Sequence, residues 1–216
     1  MLRTILICAL VGASTLSAQE QGPPPGVEAE RPSLEKRLAE LTVDLHGDMT
    51  VGEALAFLTD VTELPFVLGH LAAADAEVTV QGQGVSLSQL LDTLCAAAKP
   101  TLEWGVVDGV VVHLRKKGAP LPARPKLEPA WLKDLGARKL SVNFDPPVEL
   151  RDAAQLLEEL FLLHLDVPEA LAEKPVQVRA RDLPYPTLLT LIADQVGATW
   201  RMKGHGAAFV PREAKK

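Results

Sequence analysis

The chain has 216 residues, which is enough for one medium domain or two small ones. Hydrophobic residues make up 47% and charged residues 23%, a composition typical of a globular protein that buries a core. The formal net charge of −6 argues against nucleic acid as a partner, because phosphate binding depends on clustered Lys and Arg.

Residues 1–18 have the layout of a secretory signal peptide: one basic residue, an apolar run, then small residues up to Ala18. The run is too short to span a membrane, which takes about 20 apolar residues. Cleavage after Ala18 would remove Cys8 and leave only Cys95, so no intrachain disulfide is expected. The sequence therefore predicts secretion across the inner membrane and a periplasmic location.

Residues 19–38 are predicted to be a flexible leader, because their polar, Pro- and Gly-rich stretch cannot bury enough apolar surface to fold. Near its end, Ser33 is a plausible N-cap for a short helix through Leu34, Leu38 and Leu41.

The first module is predicted over residues 39–117. Alternating apolar and polar residues predict half-buried strands, and apolar residues at three- and four-residue steps predict helices with one buried stripe. Asp108-Gly109 between two apolar runs is a strong hairpin signal. The predicted order is strand, helix, strand, strand, helix, strand, strand, over residues 41–47, 51–63, 65–69, 76–82, 86–99, 102–107 and 110–114. The stripe of its first helix is Val51, Ala54, Leu55, Leu58 and Val61.

A Pro-rich linker at residues 118–137, with a short helix around Trp131, leads to a second module at 138–212 and a tail at 213–216. Apolar positions of the second module fall on those of the first at a fixed offset, which indicates a tandem repeat. The matched residues are Val78 and Val176, Val80 and Val178, Leu90 and Leu188, Leu91 and Leu189, Leu94 and Ile192, and, after a shorter turn, Trp104 and Trp200. In the first helices, Leu150, Ala153, Leu157 and Leu160 fall on Val51, Ala54, Leu58 and Val61.

The predicted fold class is therefore α+β: two tandem small modules, each with two helices packed on short mixed β-sheets in the order βαββαββ. Three stretches carry a family resemblance: Glu53-Ala54-Leu55, VTVQGQGVSLSQLLDTL and LEWGVVDGVVVHL. With them, residues 41–115 resemble the STN module, the short N-terminal domain of secretins and TonB-dependent receptors. The match is weaker over residues 140–211, where Asp152-Ala153-Ala154 replaces the Ala-Leu pair.

The resemblance implies a small module used for protein–protein contact in the bacterial envelope. In secretins such modules stack into rings below an outer-membrane pore, and in TonB-dependent receptors they pass a signal to an anti-sigma regulator. Because the chain ends at Lys216, we expect no pore domain or receptor barrel in it, and any such part would be a separate partner.

Two rows of polar residues are the candidate binding sites. Asp44, His46 and Asp48 alternate along the first strand and so share one face. They could form a metal site, but the simpler interpretation is a solvated face, and we predict no metal there. Asp44 and His46 are kept as candidate partner-binding residues.

The second row is Gln177, Arg179 and Arg181, on one face of the third strand of the second module. The first module has eleven acidic and four basic residues over 40–117, whereas the second has ten and nine over 138–212. The row is either a solvated strand face or a contact surface. As a contact it would let acidic and arginine-edged modules meet head to tail, or bind an anionic partner. An exposed strand edge could also accept a partner strand.

No motif specifies a reaction. Cys95 is expected to be a buried apolar side chain, and the scattered histidines are expected on the surface or in loops: His70, His113, His164 and His205. Gly82-Gln83-Gly84 before a helix is only a weak phosphate-loop signal. We therefore predict no catalytic residue and no cofactor.

The predicted function is a non-enzymatic protein–protein interaction module, accessory or adaptor to an envelope assembly of the secretin or TonB-dependent type. Its partner would be an envelope protein or a second copy of the chain, not nucleic acid, and it would be peripheral to the outer membrane at most. The alternative is a periplasmic protein that binds a small ligand or metal in the groove between the two modules.

Overall fold

The computed structural model of the chain describes residues 32–70, 72–126, 135–136 and 138–212. The predicted signal peptide, residues 19–31 of the leader, Trp131 and the tail lie outside these residues. Within them the fold is mixed α+β, with six helices and twelve strands in small sheets, so the predicted fold class is confirmed.

The first module has the predicted order of elements after one short leading helix. β1 and β3 form an antiparallel pair, and β5 lies between β2, which is parallel to it, and β4, which is antiparallel. Asp108 and Gly109 both have positive φ, as the predicted two-residue hairpin turn requires. The elements are α1 (Leu34–Glu40), β1 (Thr42–Thr50), α2 (Val51–Thr62), β2 (Phe66–Leu68), β3 (Glu77–Ser86), α3 (Leu87–Ala97), β4 (Leu102–Val107) and β5 (Val111–Lys116).

The second module repeats this topology with one addition. β6 pairs with β10 as β1 pairs with β3, and β12 lies between parallel β8 and antiparallel β11. The predicted third strand is divided into β9 and β10. β7 pairs with β9 as the end of β1 pairs with the start of β3, whereas α5 has no counterpart among the described residues of the first module. The elements are β6 (Lys139–Asn143), β7 (Val148–Glu149), α4 (Leu150–Phe161), β8 (Leu165–Asp166), α5 (Glu169–Ala172), β9 (Pro175–Val176), β10 (Arg179–Pro184), α6 (Tyr185–Gln195), β11 (Ala198–Lys203) and β12 (Gly206–Pro211).

The repeat extends to tertiary contacts. The five matched pairs of Val, Leu and Ile in the third strand and second helix of the repeat, from Val78 and Val176 to Leu94 and Ile192, are buried in both modules. The two tryptophans also make the same bond: Trp104 Nε1 donates to Asp92 Oδ1 at 2.7 Å, and Trp200 Nε1 donates to Thr190 Oγ1 at 2.9 Å. Asp92 and Thr190 occupy the same position of the repeat, so each indole ties the strand after the helix to the same helical turn.

Two details differ from the predictions. Helix α1, N-capped by Ser33, packs Leu34 and Leu38 into the first core, although residues up to 38 were assigned to the leader. Val61 and Leu160 were placed on buried helical stripes, which is wrong: they are 42% and 54% exposed. Each lies about 70° around the helix from the centre of the buried stripe, at its edge.

Candidate functional site

The two modules pack against each other through helix α6 and the β2–β5–β4 sheet. All residues of α6 from Tyr185 to Asp194 are buried. Strand β5 divides its side chains between two cores, because Val112 and Leu114 pack in the first whereas Val111 packs in the second. One sheet of the first module therefore covers a helix of the second, and we call this contact the junction.

A buried polar group lies at the centre of the junction. His113, which is 0% exposed, has its Nε2 3.0 Å from Asp194 Oδ2, and Arg212 donates to Asp194 Oδ1 at 2.8 Å. An ionised carboxylate only accepts, so His113 Nε2 is the donor. Gly69 makes room for the pair, since a Cβ there would lie 2.8 Å from both Asp194 Oδ2 and His113 Cε1.

The charge of Asp194 is stabilised by its partners. Burial raises the pKa of this carboxyl, but the hydrogen bond and charge of His113, with the charge and hydrogen bond of Arg212, hold the pKa below its ordinary 3.8. Asp194 is therefore an anion at neutral pH, with both oxygens paired. Such a group ties the strand of one module to the helix of the other.

Further hydrogen bonds follow α6 along the junction. Thr187 Oγ1 donates to Asp108 Oδ2 at 2.7 Å, and Gln195 Nε2 donates to the carbonyl of Leu68 at 3.1 Å. His70 Nδ1 lies 2.9 Å from the carbonyl oxygen of Gln195. Thr187, Asp194 and Gln195 of α6 are thus paired with the first module.

The junction was not predicted from the sequence. The expectation that the histidines lie on the surface or in loops is wrong for His113, because a second module covers the outer face of β5. A signal was present: the run Val110 to Leu114 does not alternate with polar residues, which is typical of a strand buried on both faces.

The arginine row lies beside the junction. Gln177, Arg179 and Arg181 alternate with buried neighbours, and the two arginines make ion pairs with acidic residues at the end of α2. Arg179 Nη2 lies 2.7 Å from Asp60 Oδ1, and Arg181 Nη1 lies 3.7 Å from Glu63 Oε1. These side chains border a cleft of about 280 Å³ between α2 and the β6–β10 sheet. Gln177 Nε2 instead donates to Asp145 Oδ1 at 3.3 Å.

The polar row of the first strand is exposed and partly engaged. Asp44 Oδ1 accepts from the backbone N–H of Gly84, and Asp48 Oδ1 accepts from Thr79 Oγ1 at 2.6 Å. His46 is exposed beside them. Nowhere in the described residues do three or more His, Cys, Asp or Glu side chains gather as metal ligands. Gly82 and Gly84 lie inside β3, so the N–H of Gly84 is not part of a phosphate loop.

Three exposed leucines occupy α4 and the residue that follows it, and we call them the leucine patch. Leu156 is 43% exposed, Leu160 54% and Leu162 92%. Leu162 is the C-cap and has a left-handed backbone with φ 55°, a conformation that usually selects Gly or Asn. Its counterpart in the first module, Glu63, has the same conformation but a polar side chain.

Two groups of the described residues that could act chemically, the Cys95 thiol and the His113 imidazole, are buried. Burial raises the pKa of the Cys95 thiol to about 12, with Asp92 adding to the shift, so the reactive thiolate is disfavoured. His113 and Asp194 form a hydrogen-bonded pair, but the complete burial of His113 keeps substrate away from it. Both residues fit a structural role in the junction.

In comparisons with protein-family models, curated proteins and solved structures, no match to this chain was found. Among the helices of the described residues, none is long and apolar enough to cross a membrane.

Proposed function

We propose that this chain is a secreted, periplasmic, non-enzymatic protein–protein interaction module that serves as an accessory or adaptor to an envelope assembly of the secretin or TonB-dependent type. The observation that carries the proposal is the leucine patch. The resemblance of residues 41–115 to STN modules supports the class of assembly, and the Ala18 cleavage pattern supports the compartment.

The leucine patch supports a contact surface because folding does not account for it. Burying a leucine fully is worth about 1.5–3 kcal/mol relative to leaving it exposed, so a partner that covers these leucines would gain binding free energy from them. Leu162 also adopts a left-handed backbone at a cost of about 1–2 kcal/mol for an L-residue. Exposed apolar groups of this kind mark interaction sites.

The junction is a second observation that supports the proposal. Because α6 is covered by the first module and paired through Asp194, the two modules present their outer surfaces in one fixed arrangement. A binding surface on such a scaffold loses less entropy on association than one on a hinge. The arginine row stays a candidate contact, although an anionic partner would have to compete with Asp60 and Glu63 for the two guanidinium groups.

The test is capture of partners from cross-linked native envelopes, with the bound proteins identified by mass spectrometry. We expect one outer-membrane pore or receptor component, lost when Leu156→Ser and Leu160→Ser are combined and retained with Gln155→Ser on the same helix. Arg179→Glu with Arg181→Glu tests the arginine row in parallel. Recovery of the bait alone, or of the same proteins with every variant, would overturn the adaptor proposal.

One observation favours the second candidate function, binding of a small ligand between the modules. The cleft of about 280 Å³ is close to the lower size limit of ligand sites, about 300 Å³, and carries both signs of charge in Arg179 and Asp60. A small zwitterion such as an amino acid would match it. Millimolar glutamate or glycine should then raise the melting temperature, and Arg179→Gln should abolish that rise. An unchanged melting temperature would exclude this class of ligand.

A further inference from the structure

We infer that helix α4 carries a docking site for a basic amphipathic helix of a partner protein, and that the corresponding face of α2 binds such a helix more weakly. This inference rests on the proposed function and deepens it, because it names the class of partner segment and the face that receives it.

The site on α4 is an apolar pair flanked by acids. Leu156 and Leu160 are one helical turn apart, and Asp152 and Glu159 lie beside them on the outer side of the helix. At about 100° per residue, the leucines and the two acids together occupy about 100° of the helix circumference. All four side chains are exposed. The face therefore combines an apolar pair one turn apart with a negative border on one side.

The same arrangement occurs at the same positions of α2. Phe57 and Val61 take the places of Leu156 and Leu160, whereas Glu53 and Asp60 take those of Asp152 and Glu159. On α2, however, three of the four residues have roles inside the chain: Phe57 packs against the first core, Glu53 closes the capping box with Thr50, and Asp60 pairs with Arg179. The face of α2 is therefore the internal comparison for the site on α4.

Charge decides among the possible occupants. In a symmetric contact with a second copy, Asp152 and Glu159 would face the acids of an identical surface, and the chain carries a net charge of −6. The leader segment 19–31 has three acidic residues and one basic residue, so it is repelled as well. A helix with apolar residues at i, i+3 or i+4 and i+7, bordered by Lys or Arg, complements this face in both shape and charge.

The acidic residues on α2 and on α4 have different partners within the chain. On α2, Asp60 is held by Arg179 at 2.7 Å, and Glu53 accepts the N-cap hydrogen bond from Thr50 at 2.7 Å. On α4, Glu159 accepts from Gln155 Nε2 at 3.3 Å, an exposed local contact. A basic partner must displace Arg179 to use the site on α2, so the site on α4 binds more tightly.

The inference is tested with a synthetic helical peptide of leucines on one face and lysines on the borders, and a matched peptide with glutamates in place of the lysines. Binding to the full chain is followed by fluorescence anisotropy at low and high salt. We expect the lysine peptide to bind and the glutamate peptide not to bind. Asp152→Asn with Glu159→Gln should weaken binding several-fold and remove most of its salt dependence.

Matched variants assign the site. Leu156→Ser with Leu160→Ser should weaken binding of the lysine peptide at least 10-fold, whereas Phe57→Ser or Val61→Ser should weaken it less than about 3-fold. Because the α4 residues are exposed, circular dichroism and melting temperature should stay close to those of the unmodified chain. The inference would be overturned if all variants weakened binding of the lysine peptide equally, if none weakened it, or if the lysine and glutamate peptides bound equally well.

Two further outcomes separate this inference from the proposed function. If the chain itself dimerises in sedimentation and Leu160→Ser abolishes the dimer, the occupant is a second copy and the inference falls. If an envelope partner is captured through the leucine patch but cross-links through an acidic or non-helical segment, the proposed function stands and the inference falls. If the lysine peptide binds as expected but no envelope protein is captured, the site stands and the adaptor function falls.

Discussion

Helices α3 and α6 occupy the same place in the two copies of the repeat but meet different surroundings. The inner face of each packs on its own module, with Leu90 and Leu188 both fully buried. Three outer positions are exposed in α3 and buried in α6: Gln89 and Thr187, Thr93 and Leu191, and Ala96 and Asp194. The β2–β5–β4 sheet of the first module covers these positions on α6.

The difference shows how one repeat unit serves two environments. On α3 the outer residues face water, so their identity has little effect on packing. On α6 the same positions must either fill space, as Leu191 does, or find a polar partner, as Thr187 and Asp194 do. The residue type at such a position therefore has little effect on stability in the first module and a large effect in the second. Paired substitutions at matched positions measure this difference in the free energy of unfolding.

The largest effect is expected from Asp194→Ala. It removes the acceptor of both His113 and Arg212 and leaves the imidazole buried without its partner, so the free energy of unfolding should fall by about 3–5 kcal/mol. Chemical denaturation measures this value. The matched control is Ala96→Asp at the corresponding exposed position of α3, which should change stability by less than about 0.5 kcal/mol. Equal effects at the two positions would contradict the description of the junction.

The next largest effect is expected from exchanging the residue types of Thr93 and Leu191, which occupy the same position of the repeat. Leu191→Thr loses buried apolar volume and buries a hydroxyl, so the free energy of unfolding should fall by about 2–4 kcal/mol. Thr93→Leu places the larger side chain in solvent and should stay within about 0.5 kcal/mol. Thermal and denaturant unfolding of both variants measure the two changes in stability. A large loss of stability from Thr93→Leu would contradict the difference between the two helices.

A pH profile tests the same group in the intact chain. The pKa of Asp194 is lower in the folded state than its ordinary 3.8, so its stabilising contribution is fully present above that value. As the pH falls through the lower, folded-state pKa, the contribution is lost. The stability difference between the unmodified chain and Asp194→Asn should therefore be constant near neutral pH and shrink below about pH 4. A difference that grows on acidification would have the wrong sign.

The smallest effect compares the two left-handed helix ends. Leu162→Gly should raise the free energy of unfolding by about 0.5–1 kcal/mol, because glycine adopts positive φ without the steric cost that leucine bears. Glu63→Gly should raise the free energy of unfolding by less, since it also removes the contact with Arg181. Denaturation curves of the two variants measure both changes. A loss of stability on Leu162→Gly would mean that the leucine supports folding and is not kept for a partner.

Patterns within a single element were predictable from the sequence. The Ser33 cap of the leading helix, the Asp108-Gly109 turn and most of the apolar register of both modules follow from local chemistry, and the structure confirms them. Val61 and Leu160 were assigned to the core because periodicity identifies a stripe but not its width. The arginine row was correctly placed on one face of its strand, but its acidic partners on α2 come from more than 100 residues away.

The sequence by itself determined the α+β class, the two copies and the residues that face each module's own core, because hydrophobic periodicity and turn chemistry act over a few neighbouring residues. Only the tertiary structure decided that the second copy's helix α6 is covered by the first copy's sheet. That contact places His113 against Asp194 and leaves the leucines of α4 outside. Its physical reason is that a β-strand and a helix each have two faces, and periodicity shows which face is apolar but not which module will cover the other.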